Sequence, residues 1–209
     1  MFKLSSPKGR VFKLKVKKIY SHHLPSFLVV FSLIVALHYF LFPATEAKSQ
    51  STVAAVWSQA SFPVENFQAY TSPFGYRTHP ITGRRQFHNG LDIAAPLGSY
   101  IRSWWGGQVV SMSDHTGCGT MITIRSGGWE HTYCHMMGTV ENTDKGRVLV
   151  DRNGGIFIWQ GQNVPTGARI GRIGMTGRTT GPHLHWELKY SGSRIDPADV
   201  LRRMYSRRS

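Results

Sequence analysis

Two histidines one residue apart carry the clearest chemical signal in the chain. His183 and His185 lie in an alternating run whose other positions are Leu184, Trp186 and Leu188. Side chains at i and i+2 of a strand point the same way, so both imidazoles are expected to face one space. Two ring nitrogens facing one space can serve one metal ion and the water beside it. Alone the pair is a weak signal, because two half-exposed histidines on a strand give the same pattern.

A second pair of metal-ligand types, His88 and Asp92, stands upstream. If this segment is extended, residues 88, 90 and 92 share a face, and Gly90 leaves open space between the two side chains. With one of the downstream histidines they make a three-ligand set that leaves a position open for water, as in catalytic zinc sites. Ca²⁺ and Mg²⁺ prefer shells of oxygen, so zinc fits better. For Asp92 alone, an ordinary turn residue is the competing interpretation.

A third alternating run, Trp129 to His135, places His131, Tyr133 and His135 on one face of a predicted strand. His135 is a candidate acid/base group, because an imidazole can take or orient the proton of an activated water at neutral pH. His131 is expected to be merely exposed.

Four segments, taken together, resemble the lysostaphin-type (LytM-like) zinc metallopeptidases, which cut the peptide part of peptidoglycan. The resemblance runs from about Thr71 to Leu201, and the segments stand in the family's order. They are Ser72-Pro-Phe-Gly-Tyr-Arg-Thr-His-Pro-Ile-Thr-Gly83, His88-Asn-Gly-Leu-Asp92, Tyr133-Cys-His135 and Gly181-Pro-His-Leu-His-Trp-Glu187.

The resemblance implies a mainly β fold, a compact antiparallel sheet with a zinc groove across it and one Zn²⁺ per domain. It implies His88, Asp92 and His185 as the metal ligands, His135 and His183 beside the water, and Arg77 as a substrate contact. The implied activity is a zinc endopeptidase that hydrolyses peptide cross-links or stem peptides of peptidoglycan. The alternative is a non-catalytic peptidoglycan-binding or amidase-activating module of the same fold. Its expected mark is a missing ligand, and none is missing.

Two departures from the family's pattern stand out. Met136 replaces the usual leucine after the Tyr-x-His segment, a swap that conserves volume. The stretch 138–160 is longer than the family's usual connection, and we expect it to form an added hairpin beside the groove.

The net charge of +14 would suit a nucleic-acid-binding protein, but its distribution argues against one. Residues 1–23 carry seven basic residues and no acidic one, and the last eight residues carry four arginines. Residues 48–201 hold 14 basic against 10 acidic residues. With the charge in the tails and no recognition motif, the sequence predicts no nucleic-acid partner.

The N-terminal part is typical of an exported protein. A basic cytoplasmic segment, 1–23, precedes an apolar one, 24–44, which is long enough to span a membrane as a helix. The lysines before this run orient the remainder of the chain outward. Because the basic segment is long for a signal peptide, an inner-membrane anchor facing the periplasm or cell wall is favoured over a cleaved signal and secretion. A linker, 45–64, and the peptidase-like domain, 65–205, are expected to follow.

Cys118 and Cys134 are an even pair in neighbouring predicted strands. In an oxidising compartment such a pair can form a disulfide, which is favoured over two free thiols and over zinc ligation.

Short β-type runs separated by glycine and proline fill the chain from Phe62 onward and predict an all-β domain. Ser126 to Trp129 is predicted to join two strands as a hairpin turn. One helix is predicted, Pro197 to Tyr205, with Asp196 as its N-cap. The strands are expected at 100–103, 107–111, 120–125, 130–135, 147–150, 156–159, 169–171 and 184–190.

Overall fold

The computed structural model describes residues 59–78 and 82–206. The basic segment 1–23, the apolar segment 24–44 and residues 45–58 of the expected linker lie outside the described residues. Within the part of the chain that is described, no helix is long and apolar enough to span a membrane.

Fifteen strands and one α-helix make up the described secondary structure, beside one short 3₁₀ turn at Arg152–Gly154. The first strands are β1 (Ala69–Ser72), β2 (Gly75–Thr78), β3 (Arg85–His88), β4 (Leu91–Ala94) and β5 (Tyr100–Arg102). The next are β6 (Gly107–Thr116), β7 (Gly119–Ser126), β8 (Trp129–Met136), β9 (Thr139–Thr143) and β10 (Gly146–Asp151). The last are β11 (Ile156–Trp159), β12 (Asn163–Val164), β13 (Arg169–Arg172), β14 (His183–Tyr190), β15 (Ser193–Ile195) and the helix α1 (Pro197–Tyr205).

The predicted mainly β, antiparallel fold is confirmed. An eight-stranded sheet has the order β1-β4-β14-β8-β7-β6-β12, and β15 pairs with β14. Its strand pairs are antiparallel. The His-x-His strand β14 therefore lies between β4, which carries Asp92, and β8, which carries His135.

Alternation along β14 divides the two faces of this sheet. Leu184, Trp186 and Leu188 are fully buried in the apolar core. His183 and His185, at the positions between them, point to the other face, as the two-residue period of a strand requires. In β4, Leu91 and Ile93 likewise enter the core and leave Asp92 on the face of His185.

The segment between His88 and Asp92 is not one extended run. β3 ends at His88, β4 begins at Leu91, and Asn89 and Gly90 make a bend between them. β3 pairs with β2 in a separate two-stranded sheet, so the two ligand residues come from different sheets. The prediction that 88, 90 and 92 share one strand face is therefore wrong, although their side chains still converge.

The longer connection, 138–160, is a three-stranded antiparallel sheet of order β11-β10-β9 rather than a single hairpin. Leu149, Ile156 and Ile158 bury their side chains in the main core. None of these residues, all of which are described, lines the groove at the metal site. The expectation of a single hairpin is therefore wrong, and the small sheet packs against the main core.

The helix α1 occupies the predicted residues. Asp196 caps it by accepting a hydrogen bond from the backbone N–H of Ala198 at 2.8 Å, and Pro197 opens its first turn. Val200, Leu201 and Met204 form its buried face. The spacing of its apolar residues matches one face of a helix with 3.6 residues per turn, and for this reason the sequence predicts the helix correctly.

Candidate metal centre

Three elements bring the expected ligands together. His185 on β14 lies directly opposite Asp92 on β4 in the antiparallel register, and residues opposite each other point the same way. His88 reaches the same point from the end of β3. All three side chains are largely buried, with 7–8% of each residue exposed.

The three donor atoms form a tight triangle. His185 Nδ1 lies 2.7 Å from Asp92 Oδ1, His88 Nε2 lies 3.1 Å from the same oxygen, and the two ring nitrogens are 3.0 Å apart. Ligand atoms around a tetrahedral zinc ion lie about 3.3 Å from one another. Two imidazole nitrogens and one carboxylate oxygen at these separations fit a zinc ion with one side open.

Hydrogen bonds on the far side of each ring fix which nitrogen faces the metal. His88 Nδ1 lies 2.7 Å from the carbonyl oxygen of Pro73, and His185 Nε2 lies 3.2 Å from Glu187 Oε1. Each partner is an acceptor, so each ring donates an N–H outward and turns its other nitrogen toward the centre, where that nitrogen can bind a metal ion once it has given up any proton it carries. This is the usual arrangement around metal-bound histidines.

Gly90 is required by the packing around His185. A Cβ atom at this position would lie 2.7 Å from His185 Cε1 and 2.9 Å from its Nε2. Any side chain there would push the ring out of place. The expectation of open space at residue 90 is therefore wrong: the ring of His185, from β14, lies where a side chain would be.

For both Asp92 and His185, burial shifts the pKa in one direction, while hydrogen bonding and nearby charge shift it in the other and together have the larger effect. Burial raises the pKa of Asp92, but hydrogen bonds with His185 and His88 outweigh it and hold the value well below the usual range. Burial lowers the pKa of His185, yet its hydrogen bonds to Asp92 and Glu187 raise the value to about 9. The carboxylate thus stays ionised and attracts a positive charge at the point where the three donors meet.

His183 and His135 stand beside the triangle. Their ring centroids are 4.9 Å apart, and His183 Nε2 lies 3.6 Å from Asp92 Oδ1. His135 Nδ1 lies 2.8 Å from the carbonyl oxygen of Thr176, and His183 Nδ1 lies 2.9 Å from that of Gly181. Both rings therefore donate Nδ1–H to the backbone and keep Nε2 as a proton acceptor. Burial lowers the pKa of His135 to about 4, so this ring is neutral at pH 7.

The predicted common face of His131, Tyr133 and His135 is wrong. His135 has a positive φ of 60°, which breaks the alternation of β8 and turns its ring to the face of His185. His131 and Tyr133 remain on the core side and are fully buried.

His131 is therefore not an exposed histidine. Its ring nitrogens lie 2.9 Å from Ser126 Oγ and 2.8 Å from the Tyr133 hydroxyl, so its polar atoms have partners within the core. Burial lowers its pKa to about 3 and keeps it uncharged. It belongs to the packing of the sheet and does not reach the metal centre.

A cavity of about 570 Å³ opens over the centre. Arg77 lines it and its Nη2 lies 3.7 Å from Asp92 Oδ2, so this predicted site residue is placed with the others. Arg178 and Glu187 are among the residues lining the cavity that were not assigned a role from the sequence. Arg178 lies on a glycine-rich loop, where no periodic pattern predicts which way a side chain points. Glu187 could have been predicted, because it lies two positions after His185 on the same strand face.

The cavity wall also contains a disulfide. Cys118 and Cys134 are joined, with their Cα atoms 4.9 Å apart, and Cys118 lines the cavity. Cys134 lies opposite His185 in the pairing of β8 with β14. The bridge links the β6–β7 turn to β8.

A buried His-Asp-His set with an open side, on a groove across an antiparallel sheet, is the kind of centre that metal-dependent hydrolases use. Comparison with known proteins agrees with this class. The model of peptidase family M23 matches residues 86–197, more than half of the chain. The chain belongs to peptidase family M23, and the resemblance drawn from its motifs is confirmed.

Relatives and solved structures show the same likeness. The peptidoglycan DD-endopeptidase ShyA of Vibrio cholerae is 35% identical over 137 residues, which cover 65% of this chain and 28% of ShyA. A zinc-containing peptidase from Vibrio cholerae has a similar structure, with a TM-score of 0.50 and 32% identity over 65% of this chain and 37% of that one. Lysostaphin from Staphylococcus simulans shares the fold, with a TM-score of 0.52 at 20% identity over 72% of this chain and 58% of that one. The chain spans about a quarter of the length of the curated relatives it matches.

Proposed function

We propose that this protein is a zinc-dependent endopeptidase that hydrolyses peptide cross-links or stem peptides of peptidoglycan in cell-wall remodelling. The observation that carries the proposal is the donor triangle of His88, Asp92 and His185 at 2.7–3.1 Å, with two further histidines on its open side. Membership of family M23 and the similarity to a peptidoglycan DD-endopeptidase support it.

We propose His88 Nε2, Asp92 Oδ1 and His185 Nδ1 as the zinc ligands. When bound, zinc supplies a Lewis acid for the scissile carbonyl and activates water for attack. Pro73 and Glu187 keep the two imidazoles oriented toward it through the hydrogen bonds on their far sides.

The chain's own acid/base work is assigned to His135 and His183. Each has its Nδ1–H committed to a backbone carbonyl, so each can accept and return a proton only at Nε2, on the cavity side. One of the two would accept a proton from the attacking water at Nε2, and the other, when its Nε2 carries a proton, would donate a hydrogen bond to the developing oxyanion. Arg77, at the cavity beside Asp92, is proposed to bind substrate.

The location proposed is outside the cytoplasm, where peptidoglycan lies. Segment 24–44 would anchor the chain in the inner membrane, with residues 65–205 facing the periplasm or cell wall. The basic and apolar order of residues 1–44 supports this arrangement. Determining the N-terminal residue of the mature protein tests it, because cleavage at the small-residue site Thr45-Glu-Ala47 would leave a chain that starts after Ala47.

The test of activity is digestion of purified peptidoglycan by the full chain, followed by mass spectrometry of the fragments. Cleavage that stops with a chelator and returns with zinc supports the proposal, and the fragment masses identify the bond. An unchanged fragment profile from zinc-loaded protein would contradict it and favour the non-catalytic binding module instead.

A further inference from the structure

The disulfide beside the metal centre is joined to one catalytic candidate through the backbone. Cys118 sits in the turn between β6 and β7, and its partner Cys134 is the residue immediately before His135. The carbonyl oxygen of Cys118 accepts a hydrogen bond from the backbone N–H of His135 at 2.8 Å. The bridge and this hydrogen bond thus attach the same turn to two consecutive residues of β8.

His135 needs such support because its backbone is in the left-handed region, with φ at 60°. This conformation is unfavourable for a residue with a Cβ and persists where the surroundings over-determine it. This conformation lies at a register shift in the pairing of β7 with β8, where Thr120 pairs with Met136 and Ile122 with Tyr133, and together they take the ring from the core side of β8 to the cavity. The position of the proposed catalytic imidazole therefore depends on whatever holds the φ angle.

Two further hydrogen bonds hold His135 from the opposite side. Its carbonyl oxygen accepts the N–H of Gly174 at 2.9 Å, and its Nδ1 donates to the carbonyl oxygen of Thr176 at 2.8 Å. Residues 174–178 are in turn fastened to the Cys118 turn. Arg178 donates its N–H to the carbonyl of Gly117 at 2.9 Å, and Thr120 donates its N–H to Thr176 Oγ1, also at 2.9 Å.

Together, the disulfide and these hydrogen bonds join His135, the Cys118 turn and residues 174–178 into a closed loop of contacts. Close packing adds to them, since a Cβ on Gly119 would collide with Thr176. Most members of the loop are single hydrogen bonds, which open and close, whereas the disulfide is covalent. It fixes the distance between the turn that accepts the His135 N–H and the strand that carries it.

We propose that the Cys118–Cys134 disulfide is a positioning device for His135, and that its reduction lowers turnover while leaving the metal centre intact. The inference rests on the proposed peptidase function and deepens it. The metal ligands lie on β3, β4 and β14, and neither cysteine takes part in their hydrogen bonds with one another, with Pro73 or with Glu187, although the Glu187 carboxylate lies within 4.8 Å of both sulfur atoms. In the reduction, two thiols of a dithiol reductant give two electrons and two protons to the S–S bond. The products are the free thiols of Cys118 and Cys134 and a disulfide of the reductant.

The first experiment compares the wild-type full chain with Cys118→Ser/Cys134→Ser. A purified cross-linked muropeptide dimer is the substrate, and zinc content is measured on the same samples. We expect zinc content to be unchanged and KM to stay within about twofold, while kcat falls roughly tenfold or more, part of the effect of losing an acid/base group. Treatment with dithiothreitol, followed by its removal without oxygen and by reloading with zinc before the assay, should lower wild-type kcat by a similar factor and leave the serine variant unaffected. Equal kcat for the reduced and oxidised wild type would overturn the proposal.

A double-mutant cycle with His135→Ala separates positioning from general loss of stability. If the bridge acts through His135, adding the two serines to His135→Ala should cause no further fall in residual kcat. Independent, multiplying losses would contradict the inference. Leu149→Ala is the matched control: it removes core volume in β10, away from the cavity, and should lower stability with kcat unchanged.

Hydrogen exchange keeps the inference testable even if no peptidase activity is found. The amide of His135 should exchange at least about tenfold faster in the serine variant, because its acceptor on Cys118 is released. The amide of Thr132, which lies in the same strand away from the bridge, should keep its protection. Unchanged exchange at His135 would overturn the proposal, whereas an inactive wild-type enzyme with faster exchange would contradict only the proposed function.

Discussion

His185 and His135 face the same cavity from neighbouring strands, yet their nitrogens have different partners. His185 directs Nδ1 into the donor triangle, while His135 has its Nδ1 bonded to the Thr176 carbonyl and keeps Nε2 toward the cavity. His88, like His135, directs Nδ1 to a backbone carbonyl and Nε2 inward, so contact with Asp92 Oδ1, and not the choice of nitrogen, separates the proposed ligands from the proposed acid/base group. The difference can be measured with single substitutions.

We expect His185→Ala to abolish zinc binding and His135→Ala to retain it. Without His185 only two donors remain, whereas His135 contributes none. Activity should be lost in both variants, and in His135→Ala kcat should fall by about 10²–10⁴ with zinc still bound. Metal analysis of the purified proteins and muropeptide digestion check this. His115→Ala, on an exposed side chain, is the control, and equal zinc loss in the two site variants would refute the division of roles.

Gly90 provides a second test, of the packing that orients His185. In Gly90→Ala the new methyl group would lie 2.7 Å from both His185 Cε1 and the backbone oxygen of Trp186, so the strand that carries the ring must move. We expect zinc affinity to fall roughly 10–100-fold, as for other losses of orienting contacts. Competition with a fluorescent zinc chelator measures the affinity.

The matched control is Gly181→Ala, where a Cβ meets nothing within 4 Å. It should bind zinc like the wild type. An unchanged affinity in Gly90→Ala would show that the ring of His185 has room to move without loss of coordination.

At the scale of elements, the three-stranded sheet is attached to the domain by an ion pair. Asp151, at the end of β10, accepts hydrogen bonds from Arg172 on β13 at 2.7 and 2.8 Å. Asp151 also accepts the N–H of Gly154 and so closes the turn into β11. The hydrogen bonds from Arg172 lower the pKa of Asp151, and this pair therefore stabilises the fold in a pH-dependent way.

We expect Asp151→Asn to lower the free energy of unfolding by roughly 1–3 kcal/mol at pH 7, less than for a fully buried pair because Arg172 keeps some exposure. The pKa of Asp151 is lower in the folded protein than its unfolded value of about 3.9. The stabilisation is thus fully present above that value and is lost as the pH falls through the folded pKa. Urea unfolding at a series of pH values between neutral and acid measures it.

The gap between wild type and variant should therefore close in acid. Asp199→Asn, which breaks an exposed pair with Arg202 on α1, serves as control and should change stability little at any pH. A difference for Asp151→Asn that does not vary with pH would show that the charge of Asp151 is not the cause.

The same elements show how far the sequence could predict the fold and the site. The two-residue period located β14 and the faces of its side chains, because burial of Leu184 and Trp186 leaves one orientation for the histidines between them. Local patterns also located α1 and its cap. The inversion at His135 depends instead on acceptors at Cys118 and Thr176, which are distant in sequence, so no local period contains it.

The three-stranded form of the insert and its attachment to the core were not predicted, for a related reason. Its alternating residues predict strands correctly, but the side of the molecule on which those strands pack is decided by long-range contacts. Val140 donates its N–H to Asp114 on β6, and Asp151 pairs with Arg172. The sequence of the insert itself does not indicate that Asp114 and Arg172 are its partners.

At the scale of the whole molecule, the proposed zinc ion joins parts of the chain that belong to different sheets. His88 comes from the β2–β3 sheet, and Asp92 and His185 come from neighbouring strands of the eight-stranded sheet. Separation of these sheets on unfolding would destroy the site. Zinc binding and folding are therefore coupled.

Removal of zinc should lower the melting temperature. With free zinc at about 100 times its Kd, the coupling is worth about 2.7 kcal/mol, or roughly 5–10 °C for a chain of this size. Thermal unfolding with and without a chelator measures the shift. His185→Ala should melt at the same temperature in both conditions, and a wild-type protein that ignores the chelator would contradict the coupling.

The left-handed backbone at His135 has a consequence for how this chain can change. Glycine would adopt that conformation at lower cost, but only an imidazole supplies a proton acceptor there, so selection for robustness and selection for catalysis favour different residues at one position. A lineage that no longer needs the reaction would be free to gain stability at this residue while keeping its zinc ligands. Such a descendant would still bind metal, and its missing histidine at the end of β8 would be the mark of a lost activity.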